Sequence, residues 1–289
     1  MKCLNAPAKV NLALDILGTR PDGYHDMRMV MQTISLCDIV TVEETAAGFE
    51  LHTDGDFIPV GKKTLEQRAA EAFFETIGRS MPGLRMTLEK VTPAYAGLGG
   101  GSADVAALLR ILRDTYAPDM PTEELERVGF IVGSDMPFCI HGGTCLAEGR
   151  GEALTDLQPL PDCWLVLCKP DFGIPTPTLF ASVDGGELTR RPDIGGMAEA
   201  LRAGDLEGVA KRLGNVFEEV LPEEYQEVFT IKNRLLELGA LNAAMSGSGP
   251  TVFGIFRNEK TARQAAEALK RTYAQTYLAE PVKKFNFSE

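Results

Sequence analysis

Histidine is scarce in this chain, with three in 289 residues, at His25, His52 and His141. No H-E-x-x-H pair can be built from them, which excludes the common helical zinc site. Cysteine occurs six times but never as C-x-x-C, so neither a zinc ribbon nor a dithiol redox motif is available. Reduced thiols in a cytoplasmic protein are the expected state. Positive charge is short as well, since 29 Lys and Arg stand against 41 Asp and Glu for a formal net charge of −12. That balance excludes a broad basic surface for nucleic acid or an anionic membrane. The opening MKCLNAPAKVNLALDI lacks the long apolar core of a signal peptide or membrane span, and the chain reads as cytoplasmic. The familiar nucleotide motifs are missing too. No Gly-Lys-Ser/Thr closes a P-loop, and the third glycine of a dinucleotide fingerprint counted from Gly97 is Ser102.

What the chain does have is PAYAGLGGGSADVAALLRIL at 93–112. Glycine loses the most freedom on folding, so four glycines in five positions need a reason such as positive φ or close backbone approach. Ser102 reads as an N-cap, Asp104 as first-turn negative charge, and Val105, Leu108, Leu109 and Leu112 as an apolar stripe. Glycine-rich backbone is thus delivered to a helix start, where free N–H groups and the dipole favour anions. A phosphate site is the reading, against the plain alternative of a tight strand-to-helix turn.

Periodicity predicts strands near Val10–Leu17, Arg28–Leu36 and Asp38–Glu44, a helix over Leu65–Ile77 and a strand over Leu84–Glu89. A helix capped by Thr122 follows, then a strand pair at Cys139–His141 and Thr144–Ala147. The stretch TDLQPLP at 155–161 marks a junction between two domains, 1–154 and 155–289. Beyond it, strands at Trp164–Cys168, Ala243–Met245 and Thr251–Phe256 mix with several helices. Without regular βαβ alternation, the pattern favours α+β.

Further motifs are weaker singly. Lys9 and Asn11 share one face of a strand whose other face carries Val10 and Leu12. They can hold a hydroxyl or a phosphate, or simply line an exposed sheet. Asp135 in GSDMPF reads as a carboxylate held at a helix-to-strand corner before Pro137, a cap or a general base. RPDGYH is a turn followed by Tyr24 and His25, suited to a flat heterocycle or to a hairpin tip. SGSGP at 246–250 is a second small-residue turn, and Lys90 ends a strand just before the glycine loop.

Their order is far more specific than any one of them. PAKVNL, PAYAGLGGGSADVAA and a late GSGPTVF together resemble the GHMP kinase superfamily over nearly the whole chain. RPDGYH, AGLGGGSADVAAL, GSDMPF, AEGRGE, IPTPTLF and MSGSGPTVF resemble, within it, the 4-diphosphocytidyl-2-C-methyl-D-erythritol kinase family. The resemblance implies a ribosomal-protein-S5-like N-terminal ATP-binding and catalytic lobe and a ferredoxin-like C-terminal lobe, with both ligands in a cleft. It implies phosphorylation of the 2-hydroxyl of 4-diphosphocytidyl-2-C-methyl-D-erythritol by ATP with Mg²⁺, in the non-mevalonate route to isoprenoid precursors. Neither nucleic acid nor membrane is an implied partner. The stretch Pro93-Ala94-Tyr95-Ala96-Gly97-Leu98-Gly99-Gly100-Gly101-Ser102-Ala103 would hold ATP, with Lys90 near the nucleotide. Asp135 would be the base and Lys9 its cationic neighbour. Asn11, Tyr24, His25, Thr176 and Phe180 would hold the acceptor, the two aromatic rings sandwiching cytosine and His25 reading its polar edge. Ser102 is the candidate protein ligand for magnesium. Sibling kinases for homoserine or mevalonate are the alternative, and RPDGYH and IPTPTLF speak against them because small acceptors need no base clamp. A non-catalytic nucleotide-binding protein is the other alternative, and the retained Lys9 and Asp135 speak against it.

Two positions depart from the family pattern. Thr64 opens TLEQRAA where the family carries asparagine, and Ala103 replaces a serine in the glycine turn. Both bear on nucleotide affinity more than on chemistry. The expected outcome is a raised KM for ATP with turnover largely kept, and a Thr64→Asn variant with a lower KM. Steady-state kinetics check this, and an ATP KM that Thr64→Asn leaves unchanged contradicts it.

Overall fold

The computed structural model describes residues 1–54, 63–186 and 188–284. In chain order the first elements are β1 (Lys2–Thr19), β2 (His25–Thr45), β3 (Phe49–Thr53), α1 (Leu65–Thr76), β4 (Gly83–Glu89) and α2 (Gly100–Tyr116). Next come α3 (Thr122–Val132), α4 (Met136–His141), β5 (Thr144–Gly149), β6 (Ala153–Asp156), β7 (Trp164–Lys169) and α5 (Thr176–Gly185). The rest are α6 (Ile194–Ala203), α7 (Leu206–Lys211), β8 (Gly214–Asn215), α8 (Glu227–Glu237), β9 (Asn242–Met245), β10 (Val252–Phe256), α9 (Glu259–Lys270) and β11 (Gln275–Ala279). Packing groups them into two compact units that share the chain. The first holds 1–8, 37–94 and 99–141, and the second holds 9–36, 95–98 and 142–289. This grouping by contact is distinct from the sequence-order division at 154/155.

In the first unit, the later half of β2 pairs antiparallel with β4, from Ile39↔Glu89 to Thr45↔Gly83, and β3 pairs parallel with β4. Helices α1 to α4 pack on one another. The run from Ala103 to Arg113 in α2 is buried all round, and its charged members Asp104, Arg110 and Arg113 each have a bonding partner. Thr64 caps α1 by accepting from the Gln67 amide at 3.2 Å, so the departure from asparagine keeps the cap.

Two expectations about this unit are corrected. Cys139–His141 is the end of α4, not a strand, so Asp135 stands between two helices rather than at a helix-to-strand corner. Pro137 sits in the first turn of α4, where no proline N–H is needed, and it therefore starts the helix instead of enforcing extended backbone. The buried Arg110 then closes the far end by donating to the carbonyls of Cys139 and Ile140. Ser102 is likewise not the N-cap of α2. Gly99 is, in the left-handed region at φ 67°, which moves Asp104 out of the first turn.

In the second unit, β1 pairs in parallel with β8 at Ala13↔Gly214, and the early half of β2 pairs antiparallel with β5, which turns into β6. A separate antiparallel sheet runs β11-β7-β10-β9, with α8 and α9 packed on it. Its chain order, strand, helices, two strands, helix, strand, is the split βαβ arrangement expected of a ferredoxin-like lobe. Strand β10 is buried at every residue. The six cysteines are free thiols, four of them buried. Among the described residues no helix is long and apolar enough to cross a membrane.

Phe253 lies at the centre of this sheet and is fully buried. Phe253→Ala should cost about 3–5 kcal/mol of stability, read as a lower urea midpoint at an unchanged slope.

Candidate active site

The first unit supplies the feet of the glycine loop. With Gly99 as N-cap, the Ala103 amide donates to the Gly99 carbonyl at 2.8 Å. The amides of Gly100, Gly101 and Ser102 precede any intrahelical acceptor. A Cβ built on Gly101 would meet nothing within 4 Å, whereas one on Gly100 would lie 2.9 Å from Thr92 Cγ2.

Beneath the loop lies an ion cluster that motif reasoning missed. Lys90 Nζ donates to Asp38 Oδ2 at 2.5 Å and to Asp104 Oδ2 at 2.6 Å. Asp38 Oδ1 accepts from the amides of Val91 and Thr92 at 2.6 and 2.7 Å. Burial works against the Lys90 charge, yet the two carboxylates outweigh it and hold its pKa above the ordinary value. Burial, reinforced by the neighbouring Asp38 charge, pushes the Asp104 carboxyl up to about 7 against the pull of Lys90. Lys90 thus spends its charge on joining β2, the loop entrance and α2. The available signal was Asp38 itself, an acid set in the apolar run of a strand, where a buried charge needs a partner. Asp135, half-buried, opens α4, and its carbonyl accepts from the Cys139 amide at 3.1 Å.

The second unit holds Lys9 and Asn11 on β1, 4% and 0% exposed, so the exposed-sheet alternative fails. Lys9 Nζ donates to Asn11 Oδ1 at 2.7 Å. The Asn11 amide nitrogen of the backbone donates to Ser246 Oγ at 3.2 Å, and Ser246 Oγ donates to the Gly97 carbonyl at 3.0 Å. The Lys9 amide donates to the Leu98 carbonyl at 2.9 Å. Gly97, at φ 73°, is pressed on the 246–249 turn so closely that a Cβ would lie 2.0 Å from the Ser246 carbonyl oxygen. Asn215, another residue missed, holds that turn from behind, donating from Nδ2 to the carbonyls of Met245 and Gly247 at 2.8 Å each. Nothing in the short stretch LGNVF marks it, because its role depends on a turn 30 residues away.

The aromatic group is arranged differently from the expected sandwich. Phe180 stacks on His25 with centroids 4.5 Å apart and planes 20° apart. Tyr24, half exposed, carries the Arg150 guanidinium 3.5 Å from its ring centroid. Arg150 lies in AEGRGE, and an arginine near an exposed aromatic was the signal available. Thr176 and Ser248 join hydroxyls at 2.8 Å. His25 Nε2 lies 2.8 Å from Asp184 Oδ1. The hydrogen bond from His25 chiefly holds the Asp184 carboxyl below its ordinary range.

These parts offer an anion cradle of backbone amides, a buried ammonium, a half-buried carboxylate and an aromatic shelf with a polar edge. Comparison with known proteins agrees in kind. The GHMP kinases N terminal domain matches residues 64–143, and the GHMP kinases C terminal region matches residues 197–275. A 4-diphosphocytidyl-2-C-methyl-D-erythritol kinase of Clostridium tetani (strain Massachusetts / E88) is 40% identical over 279 residues, covering 96% of this chain and 99% of its own. One of Moorella thermoacetica (strain ATCC 39073 / JCM 9320) is 43% identical over 281 residues, covering 96% and 98%. A crystal structure of a 4-(cytidine 5'-diphospho)-2C-methyl-D-erythritol kinase superposes with a TM-score of 0.81 at 33% identity, covering 97% of this chain and 99% of that one.

The Gly97 contact is testable without any ligand. Gly97→Ala should displace the 246–249 turn, whose Gly249 amide donates to the Ser246 carbonyl at 2.9 Å. Hydrogen exchange at Gly249 should quicken at least about tenfold, while the amides of β10 stay protected.

Proposed function

The chain belongs to the 4-diphosphocytidyl-2-C-methyl-D-erythritol kinase family of the GHMP kinases, and we propose that it transfers the γ-phosphoryl group of ATP to the 2-hydroxyl of 4-diphosphocytidyl-2-C-methyl-D-erythritol. The observation that carries this reading is similarity at 40% and 43% identity over 96% of the chain to kinases of that one name. Homoserine, mevalonate and non-catalytic readings are not favoured against it. The setting we propose is the cytoplasm, with 1–154 and 155–289 as the two lobes.

Phosphoryl transfer asks mainly for positioning and charge stabilisation. The 93–103 stretch would hold the triphosphate through the amides of Gly100, Gly101 and Ser102, which supports an anion site in a chain of net charge −12. Asp135 would take the proton of the accepting hydroxyl as its oxygen bonds to the γ-phosphorus and the bond to the β-phosphate oxygen breaks, leaving ADP. Lys9 would supply the positive charge for that step, and Asn11, which accepts from its ammonium, would orient both it and the acceptor. Tyr24, His25, Thr176 and Phe180 would hold the cytidylyl end. In this role Lys90 acts chiefly by setting the loop.

Magnesium fits as a partial site. Ser102 stands half-buried in the first turn of α2 and can give one oxygen, whereas Asp104 is buried and bonded through Oδ2 to Lys90. That is a donor set for an ion whose remaining ligands are phosphate oxygens and water. Such an ion, when bound, screens charge on the transferring phosphoryl group.

ADP release is the test, with ATP, Mg²⁺ and either the cytidylyl substrate, homoserine or mevalonate. Release with the cytidylyl substrate alone is expected, and release with a small acceptor instead overturns the reading. Asp135→Asn should retain binding of both ligands by calorimetry and lose turnover by at least about 100-fold. Near-normal turnover in that variant removes Asp135 as the base.

A further inference from the structure

The polar edge of His25 has chemistry that the motifs do not assign. A neutral imidazole has one donor and one acceptor, and the partner of either nitrogen decides the role of both. Nε2 lies 2.8 Å from Asp184 Oδ1. An ionised carboxylate can only accept, so it draws the N–H to Nε2. Thr19 Oγ1 donates to the same carboxylate oxygen at 3.1 Å, which fixes that oxygen in place. His25 makes no other side-chain hydrogen bond among the described residues, and Nδ1 is left as an acceptor.

The ring plane adds a second constraint. The His25 side chain is only 9% exposed and lies on Phe180, which Phe217 braces edge-on at 5.2 Å. A flat ligand hydrogen-bonded edge-on to the imidazole lies in the imidazole plane. Phe180 thus holds the imidazole plane, and Asp184 decides which nitrogen faces away from it.

We propose that Asp184, supported by Thr19, is a positioning residue that holds His25 as the Nε2–H tautomer, so that Nδ1 selects a pyrimidine with an exocyclic amino group over one with a carbonyl at that place. The inference rests on the cytidylyl reading above. Cytosine offers its N4–H to Nδ1. Uracil would point the O4 lone pairs at the Nδ1 lone pair, and a site built for one pattern rejects the other because polar groups are left unpaired. Asp184 never touches the base; it acts through the ring.

Two measurements test this. Nitrogen-15 NMR of histidine-labelled protein, with His25→Gln to assign the signal, should show His25 protonated on Nε2; a proton on Nδ1 in the unaltered protein overturns the proposal. In kinetics, Asp184→Ala should lower the preference for the cytidylyl over the uridylyl substrate at least about tenfold. The loss should appear in KM for the cytidylyl substrate, while kcat and KM for ATP are kept. An unchanged preference, or an equal fall in kcat with both substrates, overturns it. Should the variant fail to fold, the NMR result decides. If the unaltered protein turns over neither substrate, the kinase reading has failed separately. Calorimetry with CDP and UDP then carries the comparison, tighter CDP binding supporting the tautomer role and equal binding overturning it.

Discussion

The ammonium of Lys90, shared between two buried carboxylates, is the interaction on which the glycine loop depends. Asp38 alone would be an uncompensated buried charge with two amides attached, and Asp104 a second negative charge beside it. One lysine makes the group tolerable. Its geometry fixes the entrance of the loop at Val91 and Thr92 and the second turn of α2 at the same point. The backbone amides above it, which form the proposed anion site, are held in place by their helix. The phosphate site proposed above would in this way need no cluster of exposed cations in an acidic protein.

The second unit repeats the principle with different parts. Lys9 is buried, solvated by Asn11, and enclosed by the turn that Asn215 and Ser246 anchor. Gly97 belongs to that web rather than to the helix. Three of the four glycines of the loop answer separate demands: close approach to Ser246 at Gly97, left-handed backbone at Gly99, and close approach to Thr92 at Gly100. What looks like one motif is several constraints that happen to be adjacent.

Much of the fold was readable from periodicity because long amphipathic or wholly apolar segments carry their own period. Helix α1 and strands β4 and β10 fall where the patterns put them, whereas β11 was not among the predicted strands. The failure at Cys139–His141 has a local cause. MPFCI is apolar without a period, and a proline there is equally compatible with extended backbone or a helix start, so Arg110, 30 residues upstream of the carbonyl it binds at Ile140, decides the matter. The candidate residues that sequence reasoning could nominate are those carried by a local motif, as with Lys9 and the glycines. The site was not readable where a residue acts through a distant partner, as with Asp38, Asn215 and Asp184. Charge pairing across such separations leaves no spacing to find.

The two units exchange the chain at 8/9, 36/37, 94/95, 98/99 and 141/142. Each of the two long strands, β1 and β2, is thus divided midway between them. During synthesis the first unit lacks one of its segments until residue 141 has left the ribosome, although its opening residues are among the earliest made. A nick at any one crossing leaves the units covalently joined through the others. Neither unit is an uninterrupted polypeptide.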